Sequence, residues 1–207
     1  MALQLKPLDQ TLESIATEAL DIHPLLHQRV SIGSFSTDTL AWHQILQLLQ
    51  AARCAPSSHN SQPWHFIVLL DGPGRQEIND DLIAWGAPWA AKAPVLIAVV
   101  TSPHGATEYH GLNYALFDCG LAVQNILLQA TSMGLAAHSV GYKNEVVIRT
   151  ALNLEPEHAL LLFVAVGNPG SQPLTTEASR LRKPLAAIAT RDRWDGEPVT
   201  DDEVAFP

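Results

Sequence analysis

Two stretches of this sequence hold residues suited to binding chemistry, and neither holds a nucleophile built for catalysis. Between Pro56 and Pro63 stand Ser57, Ser58, His59, Asn60, Ser61 and Gln62, which donate and accept hydrogen bonds without full charge. The segment 55–66, APSSHNSQPWHF, suits the edge of a flat heterocycle with imide and carbonyl groups, and equally an ordinary polar turn. Five of the twelve Lys and Arg residues lie close together near the C-terminus: Arg180, Arg182, Lys183, Arg191 and Arg193. In an acidic chain that concentration points to an anion site or to a solvated basic face. The remaining reactive residues fit catalytic templates poorly. There are nine histidines, but no H-E-x-x-H and no second carboxylate cluster, so no metal is expected. Cys54 and Cys119 are isolated in apolar helical stretches, where inert buried thiols are common, and Ser57 has no G-x-S-x-G around it. No side chain is therefore assigned a catalytic role. Asp118, on an apolar helix, reads as a satisfied structural carboxylate or a dimer contact.

These residues need elements to position them. Apolar spacing predicts an amphipathic helix over 11–23, stopped by Pro24, and a mixed, partly extended run over 25–35. A helix over 40–53 follows, capped by Ser36 or Thr37, with Trp42, Ile45, Leu46 and Leu49 at helical spacing. The polar segment joins that helix to a strand over 66–70, closed by Asp71-Gly72-Pro73-Gly74. Residues 75–92 read as helical or irregular. VLIAVV at 95–100 is the clearest strand, β-branched and unalternating, as expected for burial on both faces. A loop, a buried helix over 114–133 ending near Gly134, a strand over 136–141, a short helix over 144–152 and a strand over 160–166 complete the core. A tail over 171–207 extends from it. Three clear strands among about five helices imply an α+β sandwich around one sheet.

The chain has 207 residues, enough for one domain spanning 1–207, with an N-terminal helix within 1–22. Apolar residues at 47% argue against disorder, and a net charge of −9 argues against nucleic acid or an anionic membrane surface as partner. The helix over 114–133 is interrupted by Asp118, Gln124, Asn125 and Gln129, so it reads as buried and not as a membrane span. No secretory signal is visible, and the expected location is cytoplasmic.

APSSHNSQPWHF resembles the A/S-P-S-S-x-N-x-Q-P-W-x-F segment of the FMN-dependent nitroreductase family. LLHQRVSIGSF at 25–35 resembles that family's phosphate-side motif, R-x-S-x-R-x-F: Arg29, Ser31 and Phe35 match, and Gly33 stands where a second Arg or Lys is usual. SRLRKPL resembles its C-terminal K/R-x-R-x-P segment, and GLAAHSVGY at 134–142 its G-L-G/A-x-x-x-I/M-G-G segment. The resemblance implies a three-layer sandwich with a mostly antiparallel central sheet, in an intertwined homodimer with two FMN sites at the interface. It implies phosphate contacts from Arg29, Val30, Ser31 and Gly33, supplemented by Arg180, Arg182 and Lys183. Ring contacts would come from Pro56, Ser57, Ser58, Asn60 and Gln62, and from Ser139, Val140 and Gly141. Trp85, Trp89 and His110 would shape the substrate face, where Ala87 replaces an Asn common in relatives.

Such proteins take hydride from NADH or NADPH and pass electrons to nitroaromatics, quinones, enals or flavins. The absence of a protein nucleophile agrees, since the cofactor would carry the chemistry. Two competing readings are a relative that uses its flavin for dehalogenation or flavin fragmentation, and a non-catalytic flavin-binding or scaffold protein. Gly33 favours the scaffold reading.

Overall fold

The computed structural model describes residues 22–102, 107–171 and 181–200. Most of the helix expected over 11–23, and Arg180, lie outside them. Pro24 opens a helix of its own. It takes the first position of α1 (Pro24–Gln28), where a missing N–H costs nothing, and the His23 imidazole accepts the Leu25 N–H. The expectation of a mixed run from 25 thus holds only after Gln28. Ser36 is not the cap of the next helix, because its hydroxyl is engaged by Asp38, accepting that residue's N–H and donating to its carboxylate. Helix α2 (Trp42–Arg53) starts later, from Ala41, whose N–H donates to the Gln44 side chain at 2.9 Å.

A single turn of 3₁₀ helix, Ser58–Asn60, leads into β1 (Trp64–Leu69). The stretch 75–92 divides into α3 (Arg75–Ala84) and α4 (Pro88–Ala91), separated by Gly86 at φ 92° and by Pro88. Strand β2 (Val95–Thr101) is buried along its whole length. The loop expected after it contains a hairpin, β3 (Glu108–Tyr109) and β4 (Leu112–Asn113). Its turn residues, His110 and Gly111, both have positive φ, the geometry that matches strand twist.

Helix α5 (Tyr114–Ser132) ends in a Schellman motif around Gly134 at φ 70°: the Gly134 N–H donates to Thr131 and the Leu135 N–H to Ala130. Then come β5 (Ala136–Val140), α6 (Glu145–Ala151) and β6 (Ala159–Gly167).

The main sheet is wholly antiparallel, in the order β1-β2-β6-β5. Period-two alternation along β2 divides the core. Val95, Ile97 and Val99 pack with α2 and α5, through residues such as Ile45, Leu48, Cys119 and Ile126. Leu96, Ala98 and Val100 pack with α3, α4 and α6, through Ile78, Leu82, Ala90 and Ile148. Helices on both faces explain why an antiparallel strand reads as an unbroken apolar run. The result is the three-layer α+β sandwich with a central antiparallel sheet. None of the helices among the described residues is long and apolar enough to cross a membrane.

Two buried polar residues tie the layers together. Arg75 donates to the carbonyls of Leu69 and Ala93, at 3.0 and 2.6 Å. Asp81 accepts the N–H groups of Lys143 and Asn144, at 2.7 and 2.9 Å, fixing the chain after β5 to α3.

Candidate functional site

The polar segment between α2 and β1 is shaped by its own hydrogen bonds. The Ser57 hydroxyl accepts the Gln62 N–H at 2.9 Å, and the Ser57 carbonyl accepts the Asn60 N–H at 3.0 Å. Ser58 donates its N–H to Asp118 on α5, 3.1 Å away across sixty residues of sequence. Asp118 is only 2% exposed, so this bond anchors the loop to the core as well as satisfying the carboxylate. That is the structural role anticipated for it. Three non-glycine residues here, His59, Asn60 and Gln62, have φ between 47° and 56°. Such conformations are held against a local cost, and they cluster at functional loops. Pro56, Asn60 and Gln62 are exposed, while Ser57 and Ser58 are half-buried. The hairpin meets this loop: His59 stacks with Tyr109 at 6.5 Å between ring centres and lies 3.4 Å from the Thr107 hydroxyl. His110 is exposed at the hairpin tip.

A second cluster gathers at the β5 edge of the sheet. After α1 the chain runs beside β5, with the Ile32 N–H donating to the Ala137 carbonyl at 3.1 Å. Arg29, Val30 and Ser31 are half-buried on this run, and Gly33 is buried. A Cβ on Gly33 would lie 2.9 Å from Cδ2 of Trp89, so the indole fills the place of a side chain there. Trp89 in turn stacks on His138 of β5, with ring centres 4.2 Å apart and planes 19° from parallel.

Arg182 reaches this cluster from the tail. Burial first, and then the charge of Arg182, push the Arg29 guanidinium below its ordinary range. Burial, helped by Arg29, likewise pushes His138 down. Two cations far apart in sequence thus lie within each other's field. Lys183 is exposed beside Arg182.

Ser139, Val140 and Gly141 end β5 on the same edge. Trp85 packs against Gly141, on which a Cβ would stand 3.6 Å from the indole nitrogen. Trp85 is half-exposed at the end of α3, and Ala87 is buried in the core. Trp89 lies deeper than Trp85, inside the Gly33–His138 stack.

The structure therefore joins Arg29, Gly33, Trp89 and Arg182 in one group, and Ser57, Ser58, Asn60 and Gln62 in another. It places Trp85 against Gly141, and His110 on the hairpin that touches the loop. Sequence reasoning missed His138, which the period-two pattern of AAHSV could have placed on one face with Val140.

Other features fit this chemistry less well. A cleft of about 580 Å³ between α3 and α6 is lined by four carboxylates, Glu77, Asp80, Asp81 and Glu145, against one cation, Lys143, a balance that disfavours an anion. Glu155, Glu157 and His158 bring ligand atoms within 4.8 Å of one another, but both carboxylates are exposed. Cys54 is exposed beyond α2, not buried as expected. Cys119 is buried, and burial pushes its thiol up, away from the reactive thiolate.

Comparison with known proteins identifies the family. The Nitroreductase family model matches residues 26–87 and 81–168. Over 162 residues the chain is 31% identical to a Methanothermobacter thermautotrophicus protein proposed as an NADH dehydrogenase/NAD(P)H nitroreductase, covering 76% of this chain and 82% of that one. It is 29% identical over 179 residues to the FMN reductase (NADPH) of Bacillus subtilis, covering 78% and 70% of the two chains. A solved structure of a proposed nitroreductase from Desulfovibrio desulfuricans, in complex with FMN, superposes with a TM-score of 0.63 at 27% identity, over 79% of this chain and 99% of that one. The family match takes in Arg29, the polar loop and Ser139 to Gly141, and stops short of Arg182. On this evidence of fold and sequence together, the chain belongs to the Nitroreductase family.

Proposed function

We propose that this chain is an FMN-dependent oxidoreductase that uses NADH or NADPH to reduce nitroaromatic, quinone or enal acceptors. The observation that carries the reading is the place of Arg29 on the run whose Ile32 N–H pairs with Ala137 of β5, with the charge of Arg182 within its field. A phosphate monoester carries several anionic oxygens, which guanidinium groups recognise through charge-assisted, bidentate hydrogen bonds. The neutral donors of the polar loop suit the uncharged rim of a flavin ring. When bound, FMN supplies the two-electron chemistry, accepting hydride from the nicotinamide and returning electrons to the acceptor.

The protein's part is to bind, orient and exclude. Arg29, Ser31, Arg182 and Lys183 hold the phosphate end, with Arg180 as a further candidate. Asn60 and Gln62, on a loop anchored by Asp118, face donors and acceptors of the ring rim. Ser139, Val140 and Gly141 bring main-chain groups against the ring, with Gly141 leaving room for Trp85. Trp85 and His110 border the substrate side, and Trp89 supports the phosphate side through its stack on His138.

The working form in this reading is a homodimer in the cytoplasm, its two flavin sites built from both subunits. Supporting it, Trp42 and Leu46 on α2 and Leu116 and Phe117 on α5 are all more than 40% exposed, an apolar surface that a second subunit would cover. An FMN-loaded monomer seen by light scattering at working concentration would contradict this.

The test is anaerobic titration of the purified, FMN-reconstituted protein with NADH and NADPH, followed by addition of each acceptor class. Bleaching of the yellow colour by a nicotinamide, and its return with an acceptor, is the expected result. A colourless protein that cannot take up FMN would instead support a scaffold role.

A further inference from the structure

His138 is the unexplained residue of the β5 edge. Its Nδ1 atom is buried and has no hydrogen-bond partner. Native proteins leave few such atoms, and each one calls for a reason. Packing does not supply it. The ring stacks on Trp89 at 4.2 Å, a contact that a phenyl ring would make without stranding a nitrogen. The position of Gly33 sharpens the point. Any side chain there would drive into Trp89, at 2.9 Å from its Cδ2, and so would disturb the indole that orients His138. The run 29–33, Trp89 and His138 thus form one packed unit, with an imidazole held in a fixed plane near Arg29.

We propose that His138 is a further cofactor-binding residue, its Nδ1–H donating to the phosphate that Arg29 and Arg182 also hold. This rests on the FMN reading above. The choice of donor follows from the surroundings. Burial and the nearby Arg29 charge both favour the neutral ring, which still carries one N–H. With that hydrogen on Nδ1, the ring offers a donor within the field of the Arg29 guanidinium. Among ligand groups, an oxyanion with several acceptor oxygens can accept from the imidazole and the guanidinium at once. The imidazole thereby provides a third donor where Gly33 cannot.

The experiment compares FMN and riboflavin binding to apo-protein by equilibrium titration. His138→Phe keeps a ring against Trp89 and removes the donor. The expected result is a loss of about ten-fold in FMN affinity, with riboflavin affinity unchanged within about two-fold. His138→Asn places an amide N–H close to the Nδ1 position, and should retain more FMN affinity than the Phe variant. If the Phe variant does not fold, His138→Leu is read the same way. Equal losses for the two ligands would assign His138 to packing and overturn the proposal. So would unchanged FMN affinity in the Phe or Leu variant. A wild-type protein that binds neither ligand would overturn the FMN reading itself, an outcome distinguishable from the other two.

Discussion

The polar loop between α2 and β1 and the basic cluster at the β5 edge are organised on opposite terms. In the loop, main-chain groups are engaged locally: Gln62 and Asn60 donate to Ser57, Ser61 donates to Ser58, and Ser58 donates to the buried Asp118. Three left-handed residues are held in place by those bonds, so the shape exists before any ligand arrives. In the cluster, burial and the charge of Arg182 push the Arg29 guanidinium below its ordinary range, and the buried Nδ1 of His138 has no hydrogen-bond partner. One region is a preformed surface for neutral hydrogen bonds. The other sets a half-buried cation, Arg29, beside an imidazole nitrogen without a partner, both of which an anion would relieve. The contrast suggests how one fold could recognise the two ends of an amphipathic cofactor: shape for the ring, stored charge for the phosphate.

Separate ligands can break or sharpen that contrast. The largest effect is expected from Arg182→Ala, which should weaken FMN binding by roughly ten- to a hundred-fold, from a charge-assisted contact of about 1.5–3 kcal/mol. Riboflavin, lacking the phosphate, should be nearly indifferent. Parallel titrations of apo-protein check this, and equal losses would mean that Arg182 acts through packing.

Asp118→Ala should behave in the opposite manner. It strands the Ser58 N–H and loosens the loop, lowering unfolding free energy by about 1–3 kcal/mol in denaturant titrations and weakening both ligands alike. A selective loss of FMN would undo the division of labour.

A smaller effect separates side chain from backbone at Asn60, where φ is 56°. Asn60→Ala should weaken flavin binding more than Ser61→Ala does, since Ser61 sits in ordinary helical geometry. Asn60→Ala should also be less stable than Asn60→Gly, by about 1 kcal/mol, because alanine resists the left-handed region. Equal flavin affinities for Asn60→Ala and Ser61→Ala would remove Asn60 from the site.

The smallest effect concerns pH. The folded pKa of His138 lies below the ordinary value of 6.5, so its neutral form is the one the fold favours. Its stabilising contribution is present above that value and lost as pH falls through it toward the lower folded pKa. Apo-protein should therefore lose melting temperature on acidification, and His138→Phe should lose less over the same range.

These contrasts also show what the sequence could and could not reveal. The long apolar run at β2 and the Gly-terminated helix α5 were legible, because burial on two faces and a left-handed cap leave local marks. The loop motif and the Arg29 motif were equally plain. The short helix α1 was missed within a run read as partly extended, because proline begins helices as well as ending them. Ser36 was misassigned because Asp38 competes for its hydroxyl, a local choice that pattern alone does not settle. The hairpin β3–β4 was hidden by its length of two residues per strand. Gly33 read as a missing cation, and its reason lies in Trp89, a contact made only in three dimensions. The partner of Asp118 and the predicament of His138 are likewise products of tertiary packing.

The division into a ring side and a phosphate side is tested most directly by titrating wild-type apo-protein with FMN and with riboflavin under the same buffer and salt. The account predicts that FMN binds more tightly by at least about ten-fold, and that this advantage narrows as salt screens the phosphate contacts. Equal affinities for the two ligands at low salt would contradict it.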